Sequence, residues 1–168
     1  AELRESYIST TIPVGEGLQF KGGLFVTPMG TEILPAPGNY NDEISRSFAF
    51  NLGIPIRHLG GLFTYPVLKT LSISGGLVTG WDDPHDNNSS PSFLGGWNYT
   101  PSDTFGLASN IIIGPEQPAP TNRVRTTWSN VATIKPMEPL TMYLEYTVGY
   151  EQDAPTEVGN RNSWWHAV

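Results

Sequence analysis

Three prolines, Pro66, Pro101 and Pro136, follow one another at intervals of 35 residues and constrain the fold more than any other feature of this 168-residue chain. Each proline ends a stretch in which apolar residues alternate with small or polar ones, and each leads into a short turn and a second alternating stretch. A fixed internal period defines a repeating structural unit, and alternation with a period of two is typical of β-strands. The repeat therefore predicts a series of β-hairpins.

The connections between the expected strands have two lengths. The pattern predicts about eight strands, the first near residues 3–12 and another near 124–134, with a ninth beginning within 162–168. Short turns are expected at 13–17, 67–70, 101–104 and 136–139, and long polar connections at 28–53, 80–91, 114–122 and 151–161. This asymmetry is typical of bacterial outer-membrane β-barrels, whose short turns face the periplasm. We therefore expect an all-β fold over residues 1–168: one antiparallel up-and-down meander of 8–9 strands, forming part or all of a transmembrane β-barrel.

The two faces of the expected strands differ in polarity. One face is aliphatic and aromatic and the other is small and polar, whereas a soluble eight-stranded barrel needs bulky side chains to fill its interior. The contrast favours a lipid-facing surface, with a soluble β-sandwich as the alternative. Thr141 and Thr147 should face the lumen, where arginine is tolerated better than at the outward-facing Leu144. The predicted outward residues are Leu71, Ile73, Leu107, Ile111, Leu140, Met142 and Leu144. The predicted aromatic girdles at the membrane interfaces contain Tyr65, Tyr99, Trp81, Trp97, Tyr146 and Tyr150.

Composition excludes several classes of function. The net charge of −7 comes without a basic stripe, so we expect no nucleic-acid partner. No window approaches the roughly 18 apolar residues of a transmembrane helix, and Gly-Gly pairs within the apolar runs favour strands over helices. The chain has no cysteine, nucleophile elbow, metal-spaced histidine pair or phosphate loop, so we expect neither an enzyme nor a cofactor.

Four short segments, taken in order and spacing, resemble one family. They are Gly80–Asn88, Tyr99–Asp103, Gly114–Gln117 and Val131–Pro136, and with them the chain resembles the OmpL-like β-barrel porins of bacterial outer membranes. The resemblance covers nearly the whole chain and implies a transmembrane barrel that acts as a diffusion channel. Its expected partners are the lipid bilayer, lipopolysaccharide, small hydrophilic solutes or ions, and further copies of itself in a homo-oligomer. Family members are longer, so we expect the chain to be a piece of a larger barrel, truncated at both ends.

The unusually long segment 28–53 is the main candidate for a functional element. It mixes charged residues with apolar ones, which suits a loop that folds inward and narrows the lumen. Its charged members are Glu32, Asp42, Glu43 and Arg46, and its apolar members include Ile33, Leu34, Phe48 and Phe50. Further pore-lining candidates are Lys21, Arg57, His58 and Glu145.

Two of these patterns have a plainer alternative. A lumen-facing pair of Arg57 and His58 would bias a channel toward anions, but His58 also suits a hydrogen-bonded interior position without a transport role. Asp82, Asp83 and Asp86 are a weak candidate for a divalent-cation site, because they lack the spacing of a calcium loop and turn chemistry explains them equally well.

The sequence therefore leads to an outer-membrane porin that allows passive diffusion of small hydrophilic solutes. Two alternatives stay open: a plugged structural or adhesive outer-membrane barrel with partner-binding loops, and a soluble β-rich ligand-binding module.

Overall fold

The fold is an antiparallel β-sheet in which every strand pairs with its neighbours in chain order. The structure is a computed structural model and describes residues 3–32, 45–82, 85, 88–118 and 123–168. Within these residues, no helix has the length and apolar character needed to cross a membrane. The strands are β1 (Ser6–Ile12), β2 (Leu18–Val26), β3 (Arg57–Leu68), β4 (Leu71–Val78), β5 (Ser92–Ser102), β6 (Phe105–Pro115), β7 (Val124–Met137), β8 (Leu140–Ala154) and β9 (Arg161–Ala167), and a short π-helix spans Ala49–Gly53.

The predicted up-and-down meander of eight to nine strands is confirmed, with nine strands in one sheet. β1 and β9 form its two edges, and the sheet is not closed between them. The four short connections, at 13–17, 69–70, 103–104 and 138–139, alternate with four longer ones at 27–56, 79–91, 116–123 and 155–160. In an antiparallel meander this alternation places the short turns at one end of the sheet and the long loops at the other.

The periodic prolines mark irregularities beside the short turns. The register shifts between Pro66 and Leu68 in β3, and at the corresponding places around Pro101 in β5 and Pro136 in β7. Proline has no backbone N–H to donate to a ladder, so within sheets it is confined to edges and bulges. The 35-residue period therefore repeats a β-bulge one or two residues before each two-residue turn. The strands continue past the bulge, so they end closer to the turns than the sequence pattern predicts.

Register assigns every strand residue to one of two faces, because directly paired residues lie on the same side of a sheet. All seven residues predicted to face outward lie on one face, which we call the outer face. Large apolar side chains on it are exposed, among them Leu77 and Leu144. The opposite, inner face carries mostly small and polar residues.

The apolar core lies on the inner face, near the long-loop end. Among the described residues, it contains five strand residues, from β2 to β6, and three residues from the connection between β2 and β3. The strand residues are Phe25, Leu62, Val78, Leu94 and Ile112, and the residues of the connection are Met29, Phe50 and Ile54. Met29, Phe50 and Ile54 of this connection therefore belong to the core, whereas Phe48 and Leu52 of the same connection are exposed.

Candidate pore constriction

The connection between β2 and β3, residues 27–56, is called loop 1 here. It starts and ends at directly paired residues, because Val26 pairs with Arg57 and the Thr27 N–H donates to the Ile56 carbonyl at 3.0 Å. From this base, loop 1 reaches across the inner face to strands far away in the sheet. The Gly30 N–H donates to Ser129 Oγ of β7 at 3.1 Å. The sheet must therefore curve enough for loop 1 to touch both β2 and β7.

The outgoing arm of loop 1, residues 27–32, is held by one carboxylate and one amide. Glu145 Oε2 of β8 accepts hydrogen bonds from both the backbone N–H and the hydroxyl of Thr31, each at 3.0 Å. Asn110 Nδ2 of β6 donates to the Pro28 carbonyl at 2.9 Å. Hydrogen bonds to a charged acceptor are stronger than those between neutral groups, so Glu145 is the principal anchor of this arm.

Gly30 occupies a position that strongly favours glycine. Its φ of +77° lies in the left-handed region, and a Cβ there would come within 2.6 Å of Ile54 Cδ1. Glycine adopts this conformation without a steric penalty. The turn at Gly30 thus brings the outgoing arm against the returning arm and directs its N–H at β7.

The returning arm of loop 1, residues 45–56, is fixed by β9. The Trp165 Nε1–H donates to the Gly53 carbonyl, at the end of the π-helix, at 3.1 Å. The Trp165 ring lies directly over Gly149 of β8, where a Cβ would come within 2.0 Å of the indole carbons. Phe50 and Ile54 are buried in the core on the same arm. Both arms of loop 1 are therefore attached to strands at the far side of the sheet.

A buried carboxylate links the two arms to each other. Glu32 is 7% exposed, and its two oxygens accept from the Ser47 N–H at 2.9 and 3.2 Å. Arg46 Nε lies 4.0 Å from Glu32 Oε2, and its guanidinium lies 5.3 Å from the centroid of the Phe50 ring. The opposite charges of the predicted residues Glu32 and Arg46 therefore partly cancel each other. The predicted apolar member Phe48 is 84% exposed, so it does not pack inward. Four other predicted members lie outside the described residues: Asp42, Glu43, Ile33 and Leu34.

Small hydroxyl residues of β7 and β8 lie beneath loop 1. Thr127, Ser129 and Thr147 point to the inner face and are almost completely buried. Larger side chains here would occupy the space that loop 1 takes. The contacts of the described residues agree with the inward packing that the sequence predicts for this segment, except at the exposed Phe48. The role of the segment as a constriction stays a prediction. The expected tolerance of Thr147 to arginine is wrong, because its side chain is enclosed rather than open to a lumen.

A second group of charged and aromatic residues joins the loop after β4 to β7, β8 and β9 at the same end. Arg125 Nη2 lies 2.9 Å from Glu151 Oε2, and the Arg125 guanidinium lies 5.1 Å from the centroid of the Trp81 ring. The rings of Trp81 and Trp165 meet edge to face with centroids 6.0 Å apart. The girdle prediction for Trp81 is therefore wrong: its ring packs against inner-face residues, because it follows β4 in a loop, where strand alternation no longer applies.

Glu116 joins two of the long connections and the start of β5. It accepts hydrogen bonds from the Ser92 hydroxyl at 2.7 Å and from the Trp81 N–H at 2.8 Å. Burial raises the pKa of the Glu116 carboxyl, and the nearby Glu151 charge acts in the same direction, while the two hydrogen bonds and Arg125 oppose the rise. Glu116 is thus a polar tie between the loop after β4, the start of β5 and the end of β6.

Asp82 is a structural acceptor. Its Oδ1 accepts from the Ile56 N–H at 2.6 Å and the Arg57 N–H at 2.9 Å, which joins the end of loop 1 to the next long loop. Burial raises the pKa of the Asp82 carboxyl, although these two N–H groups and the Arg57 charge lower it. The other two members of the predicted cation cluster, Asp83 and Asp86, lie outside the described residues. In the described part of the chain, no three acidic, histidine or cysteine residues gather as a metal site would require.

His58 and Arg57 do not form the predicted lumen pair. His58 is 1% exposed on the inner face, with Nε2 3.1 Å from Thr27 Oγ1 and Nδ1 3.3 Å from the Gly80 carbonyl. Arg57 pairs with Val26 on the outer face, and its Nη1 donates to the Leu3 carbonyl at 3.1 Å. The prediction is wrong because consecutive strand residues point to opposite faces. His58 occupies the interior position that the alternative described.

The remaining girdle candidates lie on the outer face but at different depths. Tyr65 and Tyr99 lie near the short turns, and Tyr150 lies toward the long-loop end, with its ring centroid 4.4 Å from that of Trp164. Trp97 and Tyr146 lie in one row, connected by the pairs Trp97–Ser109, Ser109–Asn130 and Asn130–Tyr146. This row crosses the middle of the strands, and the interface position predicted for Trp97 and Tyr146 stays a prediction.

Several residues of the site escape a reading of the sequence. Alternation places Ser129, Asn110 and Trp165 on the inner face but carries no sign that a distant loop reaches them. Arg125 and Glu151 form a cross-strand pair that lies beyond the register shift between Ile134 and Met137, so counting from the turn between β7 and β8 would pair Arg125 with Gln152 instead. Lys21 faces inward as predicted, with Nζ 4.7 Å from the centroid of the Tyr7 ring.

Comparison with known proteins identifies one family. Its sequence model, described as "Putative beta-barrel porin-2, OmpL-like", matches residues 1–168, which is the whole chain. Neither the curated proteins nor the solved structures gave a match. The antiparallel meander, the apolar outer face and the loop packed on the inner face are the features of a β-barrel porin. The chain belongs to the OmpL-like family of β-barrel porins.

Proposed function

We propose that the chain forms part of a bacterial outer-membrane β-barrel through which small hydrophilic solutes diffuse passively, with loop 1 narrowing the path. The attachment of loop 1 to both β7 and β8 across the inner face supports this more than any other observation. A loop held on the inside of a barrel reduces the cross-section of the lumen without closing it. The exposed apolar outer face suits contact with the lipid bilayer and with lipopolysaccharide in its outer leaflet.

Charge on loop 1 gives the proposal a measurable consequence. Arg46 and Glu32 oppose each other at 4.0 Å, so together they contribute little net field to the path. Loss of the Arg46 charge would leave the Glu32 carboxylate unopposed in a narrow, low-dielectric opening, where a single charge acts strongly on passing ions.

The experiment compares two single substitutions in the complete barrel, recorded as single channels in planar lipid bilayers under a salt gradient. Arg46→Gln should shift the reversal potential toward cation selectivity. Arg57→Gln is the matched control, because it removes the same charge from the outer face and should leave the reversal potential unchanged. Equal shifts in both variants, or none in Arg46→Gln, would contradict the placement of Arg46 beside the path.

A plugged structural or adhesive barrel is the second candidate, and the core favours it. Three residues of loop 1 pack with five strand residues into one apolar cluster, which is what a permanent plug requires. In this case the complete protein would insert into bilayers and remain electrically silent, and its long loops would be the functional surface. The same recordings therefore separate the two candidates.

A further inference from the structure

A second feature of the inner face is a cavity of about 550 Å³ on the short-turn side of loop 1. Six consecutive strands, β1 to β6, contribute to its wall, and Pro28 of loop 1 contributes from the other side. Its volume falls within the roughly 300–1,000 Å³ that is usual for small-molecule sites. Inner-face side chains of this wall that carry a hydroxyl or amide include Thr11, Gln19, Thr64, Ser72, Ser74 and Asn98.

The wall carries almost no charge. Among the described residues that line it, Lys21 alone is charged. Its Nζ lies 4.7 Å from the centroid of the Tyr7 ring and 5.9 Å from that of Phe25, so two aromatic faces partly balance its charge. The acidic anchor Glu145 is engaged by Thr31, and the pair of Arg125 and Glu151 belongs to the long-loop end.

The wall of this cavity suits a neutral solute rich in hydroxyl groups better than it suits an ion. Hydroxyl and amide groups both donate and accept hydrogen bonds, so they can replace water around a solute that also carries many hydroxyls. An ion entering the same space would lose part of its hydration, and Lys21 alone among the described lining residues offers a full charge, which attracts only anions. The absence of a described acidic residue in the lining removes any strong attraction for cations.

We propose that this cavity is a binding site for neutral polyhydroxylated solutes of mono- to disaccharide size. The inference rests on the proposed diffusion function and deepens it, because the site lies next to the passage that loop 1 narrows. Binding is weak, as exchange through a channel requires, and comes from several neutral hydrogen bonds rather than from one charged contact.

The test measures binding directly. Saturation-transfer NMR on the complete barrel in detergent, with sucrose as the neutral probe and gluconate as the anionic one, reports weak binding whether or not the protein conducts. We expect saturable sucrose binding and weaker gluconate binding. The variants Thr64→Val and Asn98→Leu each remove hydrogen-bonding groups from the wall and should raise the sucrose Kd by about three- to tenfold.

Thr141→Val is the matched control for Thr64→Val. Thr141 lies on the same inner face, in β8, and is not among the residues that line the cavity. It should leave the sucrose Kd unchanged. Tighter binding of gluconate than of sucrose would overturn the proposal in favour of an anion site at Lys21, and equal Kd values in all variants would show that sucrose does not bind here. Sucrose binding in a protein that carries no current would instead overturn the diffusion function and leave the binding site standing.

Discussion

The substitution Leu144→Arg tests most severely whether the outer face meets lipid. Leu144 is 60% exposed on the outer face of β8, four residues from the start of the strand at Leu140. At about 3.3 Å per residue this is about 13 Å along the strand, and a tilt of about 40° reduces it to about 10 Å along the membrane normal. In an apolar band about 25 Å tall, that position is close to the midplane.

An arginine at the midplane of a barrel's lipid face costs about 2–4 kcal/mol. The folded-to-unfolded ratio should therefore fall by a factor of about 30 to several hundred. The assay is equilibrium urea unfolding of the complete protein in lipid vesicles, followed by tryptophan fluorescence. The predicted result is a lower unfolding midpoint with an unchanged slope against urea concentration.

The control for this experiment is Thr133→Arg. Thr133 pairs with Tyr143, the residue before Leu144, so it lies at nearly the same depth on the inner face. It lines an open cavity of about 400 Å³, in which an arginine side chain has room and water. Thr133→Arg should therefore be much milder. Equal destabilisation by the two substitutions would refute the assignment of the faces, and Thr147 is unsuitable as a control because it is fully buried beneath loop 1.

Three further outcomes follow from the contacts of loop 1 and the long-loop end. Gly149→Ala should cost about 1–3 kcal/mol in the same unfolding assay, because its Cβ displaces the Trp165 ring; an unchanged midpoint would contradict the packing. Glu145→Ala should speed proteolysis within loop 1 and raise conductance, because Thr31 loses its acceptor; unchanged cleavage would mean that Glu145 is not the anchor. Burial raises the pKa of the Glu116 carboxyl above its value in the unfolded chain, so the folded protein binds the carboxyl proton more tightly. The free energy of unfolding should therefore fall as pH rises from the unfolded pKa through the folded pKa. Glu116→Gln should reduce the slope of the unfolding free energy against pH in this interval. An identical slope in the variant would exclude Glu116 as the source of the pH dependence.

The sheet was predictable because its signal is local. Alternation with a period of two fixes which side chains share a face, and a lipid-facing surface makes the contrast between faces strong. Leu71, Leu107 and Leu144 therefore lie on one face as expected, across strands that are distant in sequence. The periodic prolines carried more information than a turn signal, since each also marks a β-bulge.

The site was only partly predictable because its contacts are not local. The mixture of apolar and charged residues indicates that loop 1 packs inward, but not that Gly30 meets Ser129 or that Gly53 meets Trp165. The girdle prediction for Trp81 was wrong for a related reason. Beyond the end of a strand, side-chain direction depends on the partners of the loop, here Arg125 and Trp165.

Replacement of loop 1 by a two-residue Asn-Gly turn tests whether loop 1 narrows the path through the barrel. Val26 and Arg57 pair directly, so β2 and β3 can be joined this way without stretching the hairpin. Shortening residues 155–160 to the same turn is the control, because the described contacts within that connection are local ones between Thr156 and Gly159. If loop 1 narrows a water-filled path, its replacement should raise the single-channel conductance of the complete barrel several-fold, and the control should conduct like the unaltered protein. An unchanged conductance after the loss of loop 1 would show that loop 1 does not narrow the path.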